Sequence, residues 1–295
     1  MFHSIEEALI SVLGSSARIA RADRVSGGDI NWAYRLTLAD GMRVFLKTNA
    51  RKDASFFEAE AGGLTAIAGS GSIGVPHVLG LGTDAERGAF LLLEWIESAK
   101  PARVFWENFG RRLAALHRAN TATLTSGGRF GFTADNYIGA SPQANRPCDR
   151  WVDFFRDCRL APQFRMAAHW FDAADRKRID RLLERLGDVL EEPDHPSLLH
   201  GDLWSGNFIV GPDGDAWLID PAAYVGHAEA DLAMTELFGG FNSAFYVAYK
   251  ESAPLHPGYE RRRALYNLYH LLNHLNLFGA SYLGSVRNVL KIYNE

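Results

Sequence analysis

The stretch His200-Gly201-Asp202-Leu203-Trp204-Ser205-Gly206-Asn207, followed by Ile219-Asp220-Pro221, decides how the rest of the chain is read. Asp202 precedes Asn207 by 5 positions, and Asn207 precedes Asp220 by 13. Two apolar runs lie between them, Phe208-Ile209-Val210 and Trp217-Leu218-Ile219. They are joined by Gly211-Pro212-Asp213-Gly214-Asp215, whose Gly, Pro and Asp suit a tight reversal. The pattern predicts a hairpin with an amide at the start of one strand and a carboxylate at the end of the other. Phosphoryl transfer asks for a carboxylate to orient or deprotonate the attacking hydroxyl, and for oxygen ligands to Mg²⁺ on the nucleotide phosphates. Asp202 fits the first role; Asn207 and Asp220 fit the second. Protein kinases also follow a His-x-Asp loop with an Asn and a later metal-binding Asp. Here Gly201 stands for their Arg, and Asp220-Pro221-Ala222 for Asp-Phe-Gly, which points toward a metabolite kinase. Singly, Asp and Asn residues shape loops and end strands; the joint spacing carries the chemical reading.

A phosphotransfer site also needs a cation at the nucleotide, and Lys47 is the candidate. Along Arg43-Val44-Phe45-Leu46-Lys47, alternation puts Lys47 on the face of Phe45 and Arg43, opposite Val44 and Leu46. In the following helical segment Phe56, Glu60, Leu64 and Ile67 share a face, while Glu58 points elsewhere. A carboxylate on an apolar face requires a cation, so Lys47 and Glu60 are expected to pair, with Glu58 as the competing partner. Ser26-Gly27-Gly28-Asp29-Ile30-Asn31 lies between two strand-like runs. Gly27 and Gly28 there would let backbone N–H groups approach phosphate, although the segment reads equally well as an ordinary hairpin turn.

Three short strand-like runs from Ala17 to Asn49, a helix over Ala54–Ala68, and strands at Pro76–Leu79 and Ala89–Leu93 predict an antiparallel five-stranded sheet plus a helix. Beyond Ala102 helical spacing dominates, as in Phe105, Phe109, Leu113 and Leu116. Long helices are expected near Trp151–Trp170, Ala174–Leu190 and Tyr259–Phe278, with the Asn207–Asp220 hairpin inside this helical half. The expected fold is α+β with two lobes, residues 1–97 binding nucleotide and 98–295 carrying catalysis and substrate. Between them Glu94 to Ser98 offers backbone groups to an adenine, with Glu94 and Ile96 the expected contacts.

Composition removes several function classes. The chain has 295 residues, 47% hydrophobic, and a formal net charge of −4, which favours a packed core over disorder. The one dense basic cluster, Arg261-Arg262-Arg263, reads as a solvated helix start, so no nucleic-acid partner is implied. Cys148 and Cys158, ten apart, suggest neither a disulfide framework nor a thiolate zinc site. His270 and His274 lack the Glu and third ligand of a metal motif and are expected to pack or hydrogen-bond. With acidic Glu6-Glu7 near the start and no apolar run long enough for a bilayer, the expectation is a soluble cytoplasmic protein without membrane contact.

The His200–Asn207 motif, together with Ile219–His227 and Asp231-Leu232-Ala233, resembles the fructosamine kinase (ketosamine 3-kinase) family, and Trp204-Ser205-Gly206 is the distinctive part. The resemblance extends to Phe45-Leu46-Lys47, Phe57–Glu60, Asp135–Gly139 and Tyr269–His274. It implies a bilobal protein-kinase-like fold and a monomeric enzyme using ATP and Mg²⁺. Its substrate would be a small ketoamine or a glycated protein lysine, phosphorylated at a sugar hydroxyl (by family precedent O3) in deglycation repair. Trp204 would support the sugar by stacking, or else wedge the loop in place. In related kinases an Asp at the position of Asp231 fastens the catalytic loop. Many family members carry a Cys where Asp29 stands, so redox control through that loop is not expected here. The competing readings are an aminoglycoside phosphotransferase-like kinase, for which no marked acidic cluster is evident, and a non-catalytic nucleotide-binding module.

Overall fold

The computed structural model describes residues 1–25 and 31–294, so Gly27 and Gly28 lie outside the described residues. The chain forms two compact units, Met1–Phe105 with Phe208–Pro221, and Trp106–Asn207 with Ala222–Glu295. This differs from a single division at residue 98. The hairpin expected inside the helical half belongs to the first unit.

In the first unit, β1 (Ile19–Val25), β2 (Trp32–Leu38), β3 (Arg43–Asn49), β4 (Val78–Asp84) and β5 (Gly88–Glu94) form one antiparallel sheet in the order β1-β2-β3-β5-β4. Alternate residues Leu36, Leu38, Val44, Leu46, Phe90 and Leu92 pack with Ile5, Ala8 and Leu9 of helix α1 (Ile5–Leu13). That burial leaves Phe45 and Lys47 to the opposite face. Helix α1 starts where the Ser4 hydroxyl accepts the Glu7 N–H at 3.0 Å, and helix α2 (Ala54–Gly69) where Asp53 accepts the Ser55 N–H at 3.0 Å.

The hairpin pairs Phe208–Val210 with Ala216–Leu218. Its attachment to the first unit has a steric cause. A β-carbon at Gly74 or Gly211 would fall 2.6 or 2.2 Å from Trp217 ring atoms, so the indole lies against two bare backbones. Beside it the Leu218 N–H donates to the Gly74 carbonyl at 2.8 Å.

The second unit is mainly helical: α3 (Phe105–His117, its first residue in the first unit), α4 (Trp151–Phe154), α5 (Ala161–Met166), α6 (Ala173–Glu184), α7 (Glu229–Leu237), α8 (Ser243–Ser252), α9 (Tyr259–Phe278) and α10 (Leu283–Ile292). The helix expected over Trp151–Trp170 is broken by a π-helical turn at Phe155–Leu160 and ends in a 3₁₀ turn. Two short ladders join Asn136–Ile138 to Ser141–Gln143 and Ser197–Leu199 to Tyr224–Gly226. The Arg261–Arg263 run is solvated only in part: Arg261 is exposed, but the middle residue is buried. Arg262 is 2% exposed, and its Nε and Nη2 donate to the Glu229 carboxylate at 2.7 and 2.6 Å, because it shares the buried stripe of α9 with Leu265 and Tyr266. No helix among the described residues is long and apolar enough to cross a membrane.

Candidate active site

Lys47 is 5% exposed and contacts two carboxylates within the first unit. Its Nζ donates to Glu60 Oε1 at 2.6 Å and to Asp220 Oδ1 at 2.5 Å. Glu58 is exposed, and Glu60, on the buried side of α2, is the partner. Burial works against the charged amine, yet Asp220 and Glu60 outweigh it and hold the Lys47 ammonium above the ordinary lysine range. Burial pushes the Glu60 carboxyl upward while Lys47 pulls it back. Asp220 keeps 43% of its side chain exposed and is the one described non-glycine residue with positive φ, at 55°. Aspartate tolerates that region better than most residues, at a cost of about 1 kcal/mol or more. The left-handed residue falls just past the strand that ends at Leu218.

The Asp202 loop is fixed within the second unit by a different carboxylate. Asp231, in the first turn of α7 and 1% exposed, accepts the His200 N–H at 2.7 Å and the Gly201 N–H at 2.9 Å. His117 Nε2 reaches the same carboxylate at 3.2 Å, so Nε2 carries the proton and Nδ1 accepts the Tyr249 hydroxyl at 2.7 Å. Burial alone would raise the Asp231 pKa, but His117 and the loop N–H groups hold it below the usual carboxylate range. Gly201 has φ 83°, and a β-carbon there would sit 2.1 Å from the Ala222 carbonyl oxygen. The Arg of protein kinases therefore has no place at this position. The Asp202 N–H donates to His200 Nδ1 at 3.3 Å, which gives His200 a bracing role.

Asn207 Nδ2 donates to the Asp202 carbonyl at 2.8 Å and to Asp202 Oδ2 at 3.2 Å. Its Oδ1 is the atom left to offer a cation. Trp204 is 39% exposed, and a β-carbon at Gly206 would meet its ring at 2.3 Å, so the indole lies over Gly206. Gly240 abuts Ser205 in the same way, at 2.6 Å. The Trp-Ser-Gly sequence thus seats one face of the indole on backbone and keeps part of the ring open to solvent.

A buried amide layer, not foreseen as such, supports the Ala222–Ala223 segment. Asn136 Nδ2 donates to the Ala223 carbonyl at 2.8 Å, and Gln143 Nε2 to Ala222 at 3.0 Å and to Asn136 Oδ1 at 2.7 Å. Asn145 joins Asn136 at 2.9 Å, and the Tyr269 hydroxyl donates to Gln143 at 2.7 Å. The alternating amides in Gln143-Ala144-Asn145, close after Asn136, were the available signal. His274 Nδ1 lies 2.8 Å from the His270 carbonyl on its own helix. Burial pushes His270 down to about 3, as it does His227.

Of the other expected nucleotide contacts, the Glu94 N–H is engaged by the His77 carbonyl at 2.9 Å, leaving other Glu94 atoms for any such role. Ile96 is buried just beyond β5. Among the described residues no three His, Cys, Asp or Glu side chains gather to hold a metal by themselves. Mg²⁺ takes few protein ligands and completes its shell with phosphates and water, so a site for it need not show such a cluster.

The fructosamine kinase family model matches residues 1–294. A probable ketoamine kinase of Synechocystis sp. is 41% identical over 295 residues, covering 98% of this chain and 96% of the relative. A chloroplastic protein-ribulosamine 3-kinase of Oryza sativa subsp. indica is 39% identical, covering 95% and 80%. A solved protein from Haemophilus somnus, provisionally described as a fructosamine-3-kinase, superposes with a TM-score of 0.87 at 30% identity, covering 99% of this chain and 97% of that one. With the family model spanning almost the whole sequence and the Trp204-Ser205-Gly206 loop seated as described, this chain belongs to the fructosamine kinase family.

Proposed function

We propose that this protein is an ATP-dependent ketosamine kinase that transfers the γ-phosphoryl group to a sugar hydroxyl, O3, of fructosamines, ribulosamines or erythrulosamines. The observation that carries the reading is the buried Lys47 ammonium held by both Glu60 and Asp220, a charge arrangement built for a phosphate-bearing ligand. In this reading Lys47 binds the nucleotide phosphates, and Glu60 keeps Lys47 in place. Gly27, Gly28, Glu94 and Ile96 are assigned to the nucleotide. Asp202 takes the proton from the attacking hydroxyl, oriented by Asn207 Nδ2, and the exposed part of Trp204 stacks on the sugar. Asn207 Oδ1 and Asp220 would hold Mg²⁺, which when bound neutralises charge on the phosphates. The relatives' names, ketoamine kinase and ribulosamine 3-kinase, support the acceptor class. The protein is read as a cytoplasmic monomer acting on free ketoamines or glycated lysines.

The test is ADP release from Mg-ATP with a panel of fructosyl-, ribulosyl- and erythrulosyl-lysine, free and within a peptide, beside an aminoglycoside. Turnover on at least one ketoamine and none on the aminoglycoside is expected. Turnover on the aminoglycoside alone would replace this reading with the resistance-kinase one. Nucleotide binding without turnover on any acceptor would favour a binding module.

A further inference from the structure

Cys148 and Cys158 are brought together by ties that the sequence did not reveal. On one side of the pair Arg146 Nη2 lies 3.2 Å from Asp157 Oδ2. On the other, Arg159 Nη1 donates to the Ala144 carbonyl at 2.6 Å and Nη2 to Asn145 Oδ1 at 2.8 Å. Residues 144–146 are therefore zipped to 157–159, each segment next to one cysteine. The two thiols lie close enough to influence each other's ionisation, with the Arg146 guanidinium acting on both. Cys158 sits on the π-helical turn at Phe155–Leu160 and is 2% exposed, while Cys148 is half-buried and reachable from solvent. Backbone bonds between Cys148 and Phe130, at 2.9 and 3.0 Å, fix its strand-like segment.

We propose that Cys148 and Cys158 are a reversible oxidation site, closing to an intramolecular disulfide under peroxide. The accessible Cys148 reacts first: its thiolate attacks one peroxide oxygen, the O–O bond breaks, and the products are a sulfenic acid and hydroxide. The Cys158 sulfur then attacks the Cys148 sulfur, the S–O bond breaks, and water leaves with the Cys158 proton. The two sulfurs lose two electrons in total, and peroxide gains them. Burial pushes both thiols up, while Arg146 pulls Cys148 back and Arg159, with Arg146, pulls Cys158 back, so the first step quickens as pH rises through 7 and 8. The bond would clamp residues 146–148 to the π turn beside Arg159, whose partner Asn145 belongs to the amide layer under Ala222–Ala223.

The purified protein would be treated with hydrogen peroxide and followed by intact mass and by thiol titration, before and after dithiothreitol. Wild type is expected to lose both thiols together, to shed two hydrogens in mass, and to melt on the order of 5 °C higher until reduced. Cys148→Ser should keep its remaining thiol through the same exposure. Cys158→Ser should halt at a Cys148 sulfenic acid that dimedone traps. Wild type that keeps both thiols, or gains oxygen on each without linking them, would overturn the proposal. Ser is close to Cys in size, and unchanged circular dichroism of each variant before treatment separates lost chemistry from lost fold.

Discussion

Lys47 in the first unit is fixed by the carboxylates it works beside, Glu60 and Asp220, whereas the Asp202 loop in the second unit is fixed by a separate residue, Asp231. In the first arrangement the proposed nucleotide- and metal-binding groups also hold one another in place. Removing Lys47 leaves the buried Glu60 carboxylate without its cation, and removing Glu60 leaves Lys47 with Asp220 alone. In the second, Asp231 spends its charge on two backbone N–H groups and His117, so Asp202 can change chemically without loosening the loop. A site built the first way should lose stability and activity together. A site built the second way should lose them separately.

The largest separation is expected within the second unit. Asp202→Asn should lower turnover by about 10²–10⁴-fold, the usual span for a positioned general base, while the melting temperature and nucleotide affinity stay near wild type. A variant with near wild-type turnover would remove Asp202 from the base role. Asp231→Ala should do the reverse. It strips a buried acceptor from His117, His200 and Gly201, and unfolding in urea should show a loss of about 3–5 kcal/mol. Activity should fall only as far as the loop is disordered.

In the first unit, Lys47→Ala and Glu60→Ala should each be damaging, with a coupling of about 0.5–3 kcal/mol in a double-mutant cycle on stability. Additive effects would mean that Glu60 does not hold Lys47. The last expected effect is on pH. His227 and His270 are pushed down to about 3 by burial, so the fold keeps them neutral while the unfolded chain binds protons below its ordinary value of 6.5. The unfolded state therefore gains protons first, and stability falls as pH drops from about 6.5 toward 3, by on the order of 1 kcal/mol per pH unit per histidine. Denaturant midpoints at pH 7, 6 and 5 check the sign, and His270→Asn should make the slope shallower.

The parts of this comparison differ in how plainly the sequence shows them. Lys47 and Glu60 were legible because strand alternation and a helical face each leave one charged residue among apolar neighbours. The hairpin was legible from its Gly-Pro-Asp-Gly turn. Its membership of the first unit was not, since that depends on Trp217 lying between Gly74 and Gly211, a contact between residues far apart in the chain. Arg262 misled because a run of three arginines reads as solvated until α9 is seen to turn the middle one toward Glu229. The ties from Arg146 and Arg159 that join the Cys148 and Cys158 segments involve a π turn, which no residue spacing announces. Gly201 could be read as a departure from the kinase pattern, but its reason, the Ala222 carbonyl, lies 21 residues on.

The central claim is that Asp202 activates a ketosamine hydroxyl, and the most direct measurement is phosphorus–proton correlation NMR of the product formed from Mg-ATP and a ketosamine-modified lysine. The account predicts a phosphorus signal coupled to the proton on sugar carbon 3 with the wild-type protein, and no such signal in the same time with Asp202→Asn. Inorganic phosphate as the sole product, or an equal yield of the sugar phosphate from Asp202→Asn, would contradict it.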